Sequence, residues 1–421
     1  MKGAIGMEKR EIMKRRLEGK LAFLEGNRPE GLAALTAKTD DAELVHEVNE
    51  HTAASLGFCF YRVEVPDLQT LKKLVGTPDE LIEEGVLRDI MAEPEPMDAE
   101  REKELLRADR NAFLSQTCQA FRSYIYGYSP KAKSYEKAIN ALRFPTSVET
   151  YTIPELYIKR GEVYEFGKDD PEKHMALVID RLTMEEGAKI NNYCYADITV
   201  GQGSMNKGSV IGNCGTAGKD GITQQGSGLP GNTGTKGTDS KSGKKSCDVN
   251  AGTGGVGGPG QPGKDGGNGG NGGSGSTLTC TFSHVEGAFP KVCCYGGAGG
   301  NGGNGTKGGT GGAGGSGGNS SDHCSAGAQG DGGNGGVGGN GGNGGDGGNG
   351  GDVILTVFLD EGQKAFDIEI KAEGGAGGAG GTGGDGGDGG VGKVRGTVGT
   401  PGRSGNSGNS GNAGKINITQ I

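Results

Sequence analysis

Residues 332–352 read GGNGGVGGNGGNGGDGGNGGD and place glycine at two of every three positions for seven consecutive triplets. A period of three differs from the 3.6-residue period of an α-helix and the two-residue period of a strand. It is the period of polyproline-II geometry, a left-handed helix with about 3 residues per turn and a rise of about 3.1 Å per residue. With side chains on one edge only, neighbouring backbones can approach and hydrogen-bond. We therefore predict a bundle of polyglycine-II helices.

Glycine is concentrated in the second half of the chain, where 80 of the 92 glycines follow residue 200. They form six blocks: 201–239, 252–275, 296–318, 332–351, 374–392 and 396–414. Ordering glycine costs more backbone entropy than ordering any other residue, and one peptide hydrogen bond returns only about 0.5–1.5 kcal/mol. A single block is therefore expected to be disordered, whereas several aligned blocks can be ordered together.

The segments between the glycine blocks carry apolar and aromatic side chains. TLTCTFSHVEGAFPKVCCYGG (277–297) and DVILTVFLDEGQKAFDIEIKAE (352–373) each suggest two strands joined by a turn, and KINITQI (415–421) suggests a closing strand. These segments can bury side chains and reverse the chain where glycine cannot.

The first 149 residues have mostly helical patterns. Helices are expected at 7–25, after the Thr77-Pro78 start signal, from Asp98 to Gly127, and at 131–143. Asp40 or Asp41 can cap a further helix that carries Leu44, Val45 and Val48. FCFYRVEVP (58–66) is typical of a strand.

Residues 150–200 change to a strand pattern. ELYIKRGEVYEF (155–166) and RLTMEEGAKINN (181–192) align with an offset of 26 residues, with glycine at the same place in both. Strands interrupted by glycine at a fixed offset favour coils of a β-solenoid, although a plain meander would show the same letters.

Together these patterns predict an α+β multidomain protein. Its parts are an α-rich attachment domain (1–149), a short β-solenoid or β-meander connector (150–200), and a polyglycine-II helix bundle (201–421) with β-hairpins inserted at 277–297 and 352–373.

Composition excludes several classes of function. The net charge of −9 argues against nucleic acid as the main partner. No segment has the roughly 18 apolar residues of a membrane span, and residues 1–24 lack the continuous apolar segment of a secretory signal. No catalytic constellation stands out in residues 1–200, and no cofactor motif occurs, so we expect a protein that is not an enzyme.

The nine cysteines are unevenly distributed. Seven fall in one stretch and are candidates for disulfide bonds, which are Cys194, Cys214, Cys247, Cys280, Cys293, Cys294 and Cys324. An oxidising compartment would favour such bonds, whereas a cytosolic setting would leave free thiols, and the sequence does not choose between the two. A zinc site that adds His284 and His323 to Cys280, Cys293, Cys294 and Cys324 matches no standard spacing, so we expect no metal site.

Rival interpretations of the glycine repeat fit less well. Collagen would need abundant proline, and a calcium-binding nonapeptide repeat would need a large apolar residue where Gly348 stands. A flexible low-complexity linker remains an alternative on composition alone. Asp346, Asp352, Asp385 and Asp388 are interpreted as solubilising residues at the edge of the bundle.

The block-and-hairpin pattern resembles three families. It is most similar to the tip adhesins on the long tail fibres of T-even-like phages, in which glycine-rich helices pack in layers and distal loops contact a bacterial receptor. GGDGGNGGDVILTVFLDEG (344–362) looks like the glycine-run-to-strand junction of Obg-type GTPases, although no GTPase domain is present. The third family is the glycine-rich antifreeze protein of snow fleas, but the third position here mixes several residue types.

The leading functional hypothesis is a non-enzymatic structural and binding protein that presents loops on a stiff glycine-rich scaffold. The predicted contact loop is 278–295, with Phe282, His284, Phe289 and Tyr295 as binding residues; the same aromatic residues could instead cap the bundle. The expected partner is a cell-surface receptor or an identical subunit, and an extracellular, cell-surface or virion location is favoured over the cytoplasm. A self-assembling fibre or surface-layer subunit and an intracellular Obg-like docking module are the alternatives.

Overall fold

The computed structural model describes residues 2–30 and 44–421, without the side chains of residues 2–9 and Ile12. Its helices are α1 (Lys2–Gly26), α2 (Leu68–Val75), α3 (Asp79–Glu83), α4 (Ala99–Ala108), α5 (Arg110–Tyr126), a 3-10 helix (Ser129–Tyr135) and α6 (Glu136–Arg143). Its strands are β1 (Val45–Val48), β2 (Cys59–Val65), β3 (Thr146–Ile158), β4 (Val163–Phe166), β5 (His174–Met184), β6 (Lys189–Asn192), β7 (Tyr195–Met205), β8 (Val210–Cys214), β9 (Lys241–Ser242), β10 (Cys247–Val249), β11 (Leu278–Gly287), β12 (Lys291–Tyr295), β13 (Val353–Val357), β14 (Ile370–Lys371) and β15 (Ile416–Gln420).

Three helix predictions need correction. The helix expected at 131–143 begins only at Glu136, because residues 129–135 form a 3-10 helix. The single helix expected from Asp98 to Gly127 is divided at Asp109, whose carboxylate accepts hydrogen bonds from the amides of Asn111 and Ala112 and so caps α5. The helix expected around Val45 and Val48 is instead strand β1. Its predicted cap, at Asp40 or Asp41, lies outside the described residues.

Most strands belong to two large sheets. The larger has seven strands in the order β15-β13-β11-β7-β5-β3-β2, and all its neighbours are parallel except β2 and β3. The smaller has six parallel strands in the order β1-β4-β6-β8-β12-β14. The short strands β9 and β10 form a separate antiparallel pair.

From β3 onward the chain alternates between the two large sheets. β3, β5, β7, β11 and β13 lie in the larger sheet, and the strand that follows each of them lies in the smaller one. The 26-residue offset in the sequence corresponds to the parallel register, since Leu156 pairs with Leu182 and Ile158 with Met184. Gly161 and Gly187 occupy the turns that carry the chain to the other sheet, and both have positive φ, at 79° and 76°.

The main hydrophobic core lies between the sheets. It is built from alternate residues of each strand, such as Ile198, Cys280, Phe282 and Leu355, all with no exposed surface. A second core packs α2, α5 and α6 on the outer face of the larger sheet. Val148, Ala176 and Ile354 of the larger sheet belong to this second core. The helices therefore do not have a hydrophobic core of their own, separate from the sheet.

The predicted fold class is wrong. The structure is a mixed α/β fold with one parallel and one mixed sheet, and strands from the whole chain enter both sheets. The segments 277–297 and 352–373 are not hairpins, because β11 and β12 pair with strands of different sheets rather than with each other, as do β13 and β14. The strands of 150–200 are therefore not a short connector but part of sheets that are completed by strands as late in the chain as β14 (Ile370–Lys371) and β15 (Ile416–Gln420).

The glycine-rich segments are neither α-helices nor β-strands. We call the six segments runs 1 to 6 and the body they form the glycine slab; the runs are 215–240, 252–275, 296–318, 327–351, 374–392 and 396–414. Runs 1, 3 and 5 lead out of the smaller sheet, and runs 2, 4 and 6 lead into the larger one. The slab is thus two layers of three runs that continue the two sheets.

Backbone hydrogen bonds hold the runs together. Within a layer, the amide of Gly299 donates to Ala376 of the next run over 2.8 Å, and the contact recurs every third residue. Between layers, Gly300 donates to Gly270, and Gly345 donates to Gly300, each over 2.8 Å. A Cβ added to Gly342 would lie within 3.0 Å of the carbonyl oxygen of Gly267, so backbone contact is what requires glycine.

Asparagine and aspartate at the third positions complete these ladders. The side-chain oxygen of Asn268 accepts the amide of Asn343 over 2.8 Å, and the side-chain oxygen of Asn343 accepts the amide of Asn406 over 2.9 Å. Asp346, interpreted from sequence as a solubilising residue, accepts the amide of Asn409 in the same way. These side chains supply the acceptor for amides that no neighbouring carbonyl reaches.

The outer edges of the slab tolerate side chains. Thr216 and Ile222 of run 1 occupy the triplet positions that correspond to Gly297 and Gly303 of run 3. The side chain of Ile222 is 72% exposed. A further run against this edge would meet those side chains where the interior of the slab permits only glycine. These side chains therefore close the layer at run 1.

Candidate functional site

The predicted contact residues do not form one exposed surface. Phe282 has no exposed surface and belongs to the core between the sheets. Phe289 packs on it with ring centroids 5.1 Å apart, and on Phe366 at 5.6 Å. Tyr295 is half-buried, and burial raises its pKa to about 12 with help from a hydrogen bond to Cys293. A buried Phe282 cannot contact a partner, and Phe282 and Phe289 pack in the core between the sheets rather than on the glycine runs.

The side chain of His284 is 33% exposed. Its Nδ1 lies 2.7 Å from Asp360, and its Nε2 lies 3.2 Å from Glu286, so two carboxylates flank one imidazole. The hydrogen bond to Glu286, and then that to Asp360, raise the pKa of His284. This charged cluster lies at the end of the sheets opposite the slab, and nothing in it resembles a nucleophile with its base.

The predicted cysteines divide into one bonded pair and five thiols. Cys247 and Cys324 form a disulfide, whereas Cys194, Cys214, Cys280, Cys293 and Cys294 are free. Burial raises the pKa of Cys194 to about 12 and also raises the pKa values of Cys280 and Cys294. Thiols with raised pKa values are poor nucleophiles, so these residues act as small apolar core side chains.

Metal-binding groups do not converge in the described part of the chain. Within residues 2–30 and 44–421, no three His, Cys, Asp or Glu side chains are placed to share an ion. Of the imagined zinc ligands, Cys324 is in the disulfide at the far end of the slab, whereas Cys280 is in the core between the sheets.

Three turns lie at the end of the slab remote from the sheets, and we call them the distal turns (241–251, 319–326 and 393–395). The disulfide joins the first two, and Ser242 Oγ lies 2.6 Å from Ser321 Oγ. The third turn is tied to the start of run 4 by a hydrogen bond of 2.9 Å from the Lys393 amide to Gly330. The distal turns carry five Lys or Arg and two Asp, in a chain whose net charge is −9.

A cleft lies between α5 and the proximal ends of runs 4 and 6, and we call it the α5 cleft. Its volume is about 440 Å³, within the range of small-molecule sites. Ser115, Gln119 and Arg122 line one wall from a single face of the helix, and Asn349, Asn412 and Lys415 lie among the residues of the other wall. The sequence analysis did not identify these residues; their spacing of four and three places them on one face of a helix, but it does not show what faces them.

A second cavity lies beneath α1, against the larger sheet. There Lys20 forms a buried ion pair with Asp197 and donates to Thr199 Oγ1 over 3.0 Å. Burial raises the pKa of Asp197, and the attraction of Lys20 opposes that rise. The cavity holds about 70 Å³, room for roughly two water molecules, and its residues Arg16, Lys20, Lys73 and Leu74 also line an adjoining groove of about 430 Å³.

No helix in the described residues is both long enough and apolar enough to cross a bilayer. No family model matches the chain, and no curated protein matches it. Among solved structures, the chain is similar to an antifreeze protein of the springtail Granisotoma rainieri, described as a bundle of nine polyproline type II helices. The identity is 23%, over 44% of this chain and 93% of that one, and the TM-score is 0.07. A TM-score of this size shows no shared fold, and nothing is carried over from that protein.

Proposed function

We propose that this protein is a non-enzymatic binding protein whose glycine slab holds the distal turns against a cell-surface partner. The observation that carries this proposal is that three turns, distant in sequence, lie at one end of the slab, two of them joined by a disulfide. The contact region proposed is therefore the distal turns rather than the loop 278–295, whose aromatic rings are largely committed to packing.

Rigidity supports the proposal. Runs 2, 3 and 4 are hydrogen-bonded to neighbours on several sides, and the disulfide joins turns that are 77 residues apart in sequence. A turn already held in place loses less conformational entropy when it binds than a flexible loop does. The excess of cationic side chains in the distal turns would favour an acidic surface and speed the encounter with it.

Self-assembly through glycine edges is less well supported. Addition of a run from a second copy against run 1 would bring backbone onto Thr216, Lys219 and Ile222, and side chains at such an edge are a familiar protection against edge pairing. We expect the purified chain to sediment as a monomer or a small closed oligomer.

Binding of fluorescently labelled protein to a panel of intact bacterial and animal cells, measured by flow cytometry, tests the proposal. The variant Lys244→Glu/Lys245→Glu/Lys393→Glu reverses charge in two distal turns and should weaken binding to the responding cells by roughly tenfold or more. The matched control Lys207→Glu/Lys219→Glu/Lys264→Glu makes the same charge change outside the distal turns. Equal binding by both variants, or binding to no cell type in the panel, would contradict the proposed function.

A further inference from the structure

The α5 cleft has an unusual supply of unused hydrogen-bonding groups. Arg122 donates from Nη2 to Asp352 Oδ2 over 3.0 Å, but its Nε is buried and has no acceptor among the described residues. A buried N–H without an acceptor costs free energy, so a ligand oxygen that accepts this hydrogen, once Arg122 turns its Nε towards the cleft, is favoured.

The α5 cleft offers positive charge to a ligand, because its one acidic lining residue, Asp352, is already paired. The carboxylate of Asp352 is nearly buried, and it already accepts from Arg122 and from the amide of Lys415 over 2.8 Å. The ammonium group of Lys415, in contrast, is exposed and has no ion-pair partner in the described part of the chain. An anion entering the cleft would meet the free edge of Arg122 and this ammonium group together.

The remaining polar groups suit hydroxyls. Ser115 and Gln119 are exposed on α5 one helical turn apart, and Asn412 is exposed on run 6 across the cleft. Asn349 uses its oxygen to accept the amide of Asn412, which leaves its side-chain N–H groups for a ligand. Amide and hydroxyl side chains can donate and accept, as sugar hydroxyls can.

We propose that the α5 cleft binds an acidic sugar, a ring that carries several hydroxyl groups and one carboxylate. The carboxylate accepts from Arg122 Nε and pairs with Lys415, and the ring hydroxyls bond to Gln119, Asn349 and Asn412. An Arg side chain suits this role because its planar fork can hold Asp352 with one nitrogen and a ligand oxygen with another. The site is at the opposite end of the slab from the distal turns, so this inference does not depend on the proposed function.

The test is a titration of the full-length protein with glucuronate, glucose and acetate, followed by isothermal calorimetry and by the Arg122 Nε–H signal in ¹H–¹⁵N spectra. Glucuronate should bind and shift that signal, whereas glucose and acetate should each bind at least about tenfold more weakly. Equal affinity for glucose would remove the role of the carboxylate, and equal affinity for acetate would remove the role of the hydroxyls. Either result, or no binding of glucuronate, overturns the proposal.

Variants locate the binding. Arg122→Gln should lose glucuronate binding, but it also leaves Asp352 without its partner and can destabilise the fold. Gln119→Ala and Lys415→Gln remove side-chain groups that have no hydrogen-bond or ion-pair partner among the residues that the structure describes. Each variant should weaken glucuronate binding several-fold while the unfolding temperature is unchanged. Arg403→Gln removes an exposed charge elsewhere on the slab and serves as the control. Unchanged affinity in both Gln119→Ala and Lys415→Gln would place the ligand elsewhere and refute the proposal.

Discussion

The two halves of this molecule solve the burial problem in different ways. Between the sheets, side chains such as Phe282 and Leu355 interdigitate, and alternate residues of each strand supply the core. In the slab the runs pack backbone against backbone, and an added Cβ at most interior glycines would lie within 3.0 Å of a neighbouring main-chain atom. One region is ordered by removing apolar surface from water, and the other by pairing peptide groups in the absence of side chains.

The difference teaches where each region tolerates change. A side-chain core can repack around a smaller residue at the cost of a cavity. The slab cannot repack, because its contacts are main-chain atoms whose positions are shared by several runs. Its tolerance is confined to third positions and outer edges, where Ile222 and Val398 are more than half exposed.

The largest expected effect is a methyl group inside the slab. Gly342→Ala places a Cβ against the carbonyl of Gly267, and the runs must separate to admit it. We expect a loss of more than about 4 kcal/mol in the free energy of unfolding, measured by urea denaturation. Ser407→Ala, at the exposed edge of run 6, is the control and should change stability by less than about 0.5 kcal/mol. Similar stabilities for the two variants would show that the glycines are not required by packing.

A cavity in the core between the sheets should lower the free energy of unfolding somewhat less than Gly342→Ala does. Phe282→Ala removes a fully buried ring and should lower the free energy of unfolding by about 3–5 kcal/mol. Phe23→Ala on α1 removes a ring that is 38% exposed, and it should cost clearly less. Urea denaturation of both variants provides the comparison, and equal losses would mean that the core between the sheets does not stabilise the fold as described.

The third prediction concerns His174 in the larger sheet, which should make the free energy of unfolding depend on pH. Burial, with a smaller repulsion from Arg143, lowers the pKa of His174 from 6.5 to about 4, and its ring stacks on Tyr195 with centroids 5.0 Å apart. Because the folded-state pKa lies below the unfolded-state value, stability is complete above pH 6.5 and is lost as the pH falls towards 4. The loss between pH 7 and pH 5 should be about 2 kcal/mol.

Urea denaturation at pH 7 and pH 5 measures this loss. His174→Phe keeps an aromatic ring against Tyr195 and should remove most of the difference between the two pH values. His51→Phe changes an exposed ring and should leave the difference in place. A His174→Phe variant with the full pH dependence would mean that another group causes it.

The smallest effect concerns one side-chain acceptor in the slab. Asn343→Ala leaves the amide of Asn406 without its acceptor and should cost about 1 kcal/mol, with faster hydrogen exchange at Asn406. Asn343→Asp keeps an oxygen in the same place and should preserve the protection. Equal exchange in the wild type and Asn343→Ala would show that the third-position side chains are not part of the ladder.

Local signals in the sequence predicted several elements well. Strand β2 lies within the predicted segment 58–66, and α1 covers the predicted helix 7–25. The division between α4 and α5 was missed, although Asp109 is a favourable cap, because the apolar pattern continues across it. The hairpin predictions failed because a strand–turn–strand pattern does not say whether the second strand turns back on the first or crosses to another sheet.

The α5 cleft shows the same limit at the level of a site. The spacing of Ser115, Gln119 and Arg122 marks one polar face of a helix, which in isolation is an ordinary solvated face. It becomes the wall of a cleft only because Asn412 and Lys415, about 300 residues later, lie opposite. No local pattern connects these two segments.

The sequence by itself determined which segments carry side chains and which carry almost none, because the absence of Cβ in glycine does not depend on the fold. It also determined the period of three, which places every third residue of a run in the same environment. Only the tertiary structure decided that β11 lies between β7 and β13, and that asparagines 63 or 75 residues apart share a hydrogen bond. Those partners are chosen by the simultaneous pairing of many peptide groups across the sheets and the slab, and no single segment contains that information.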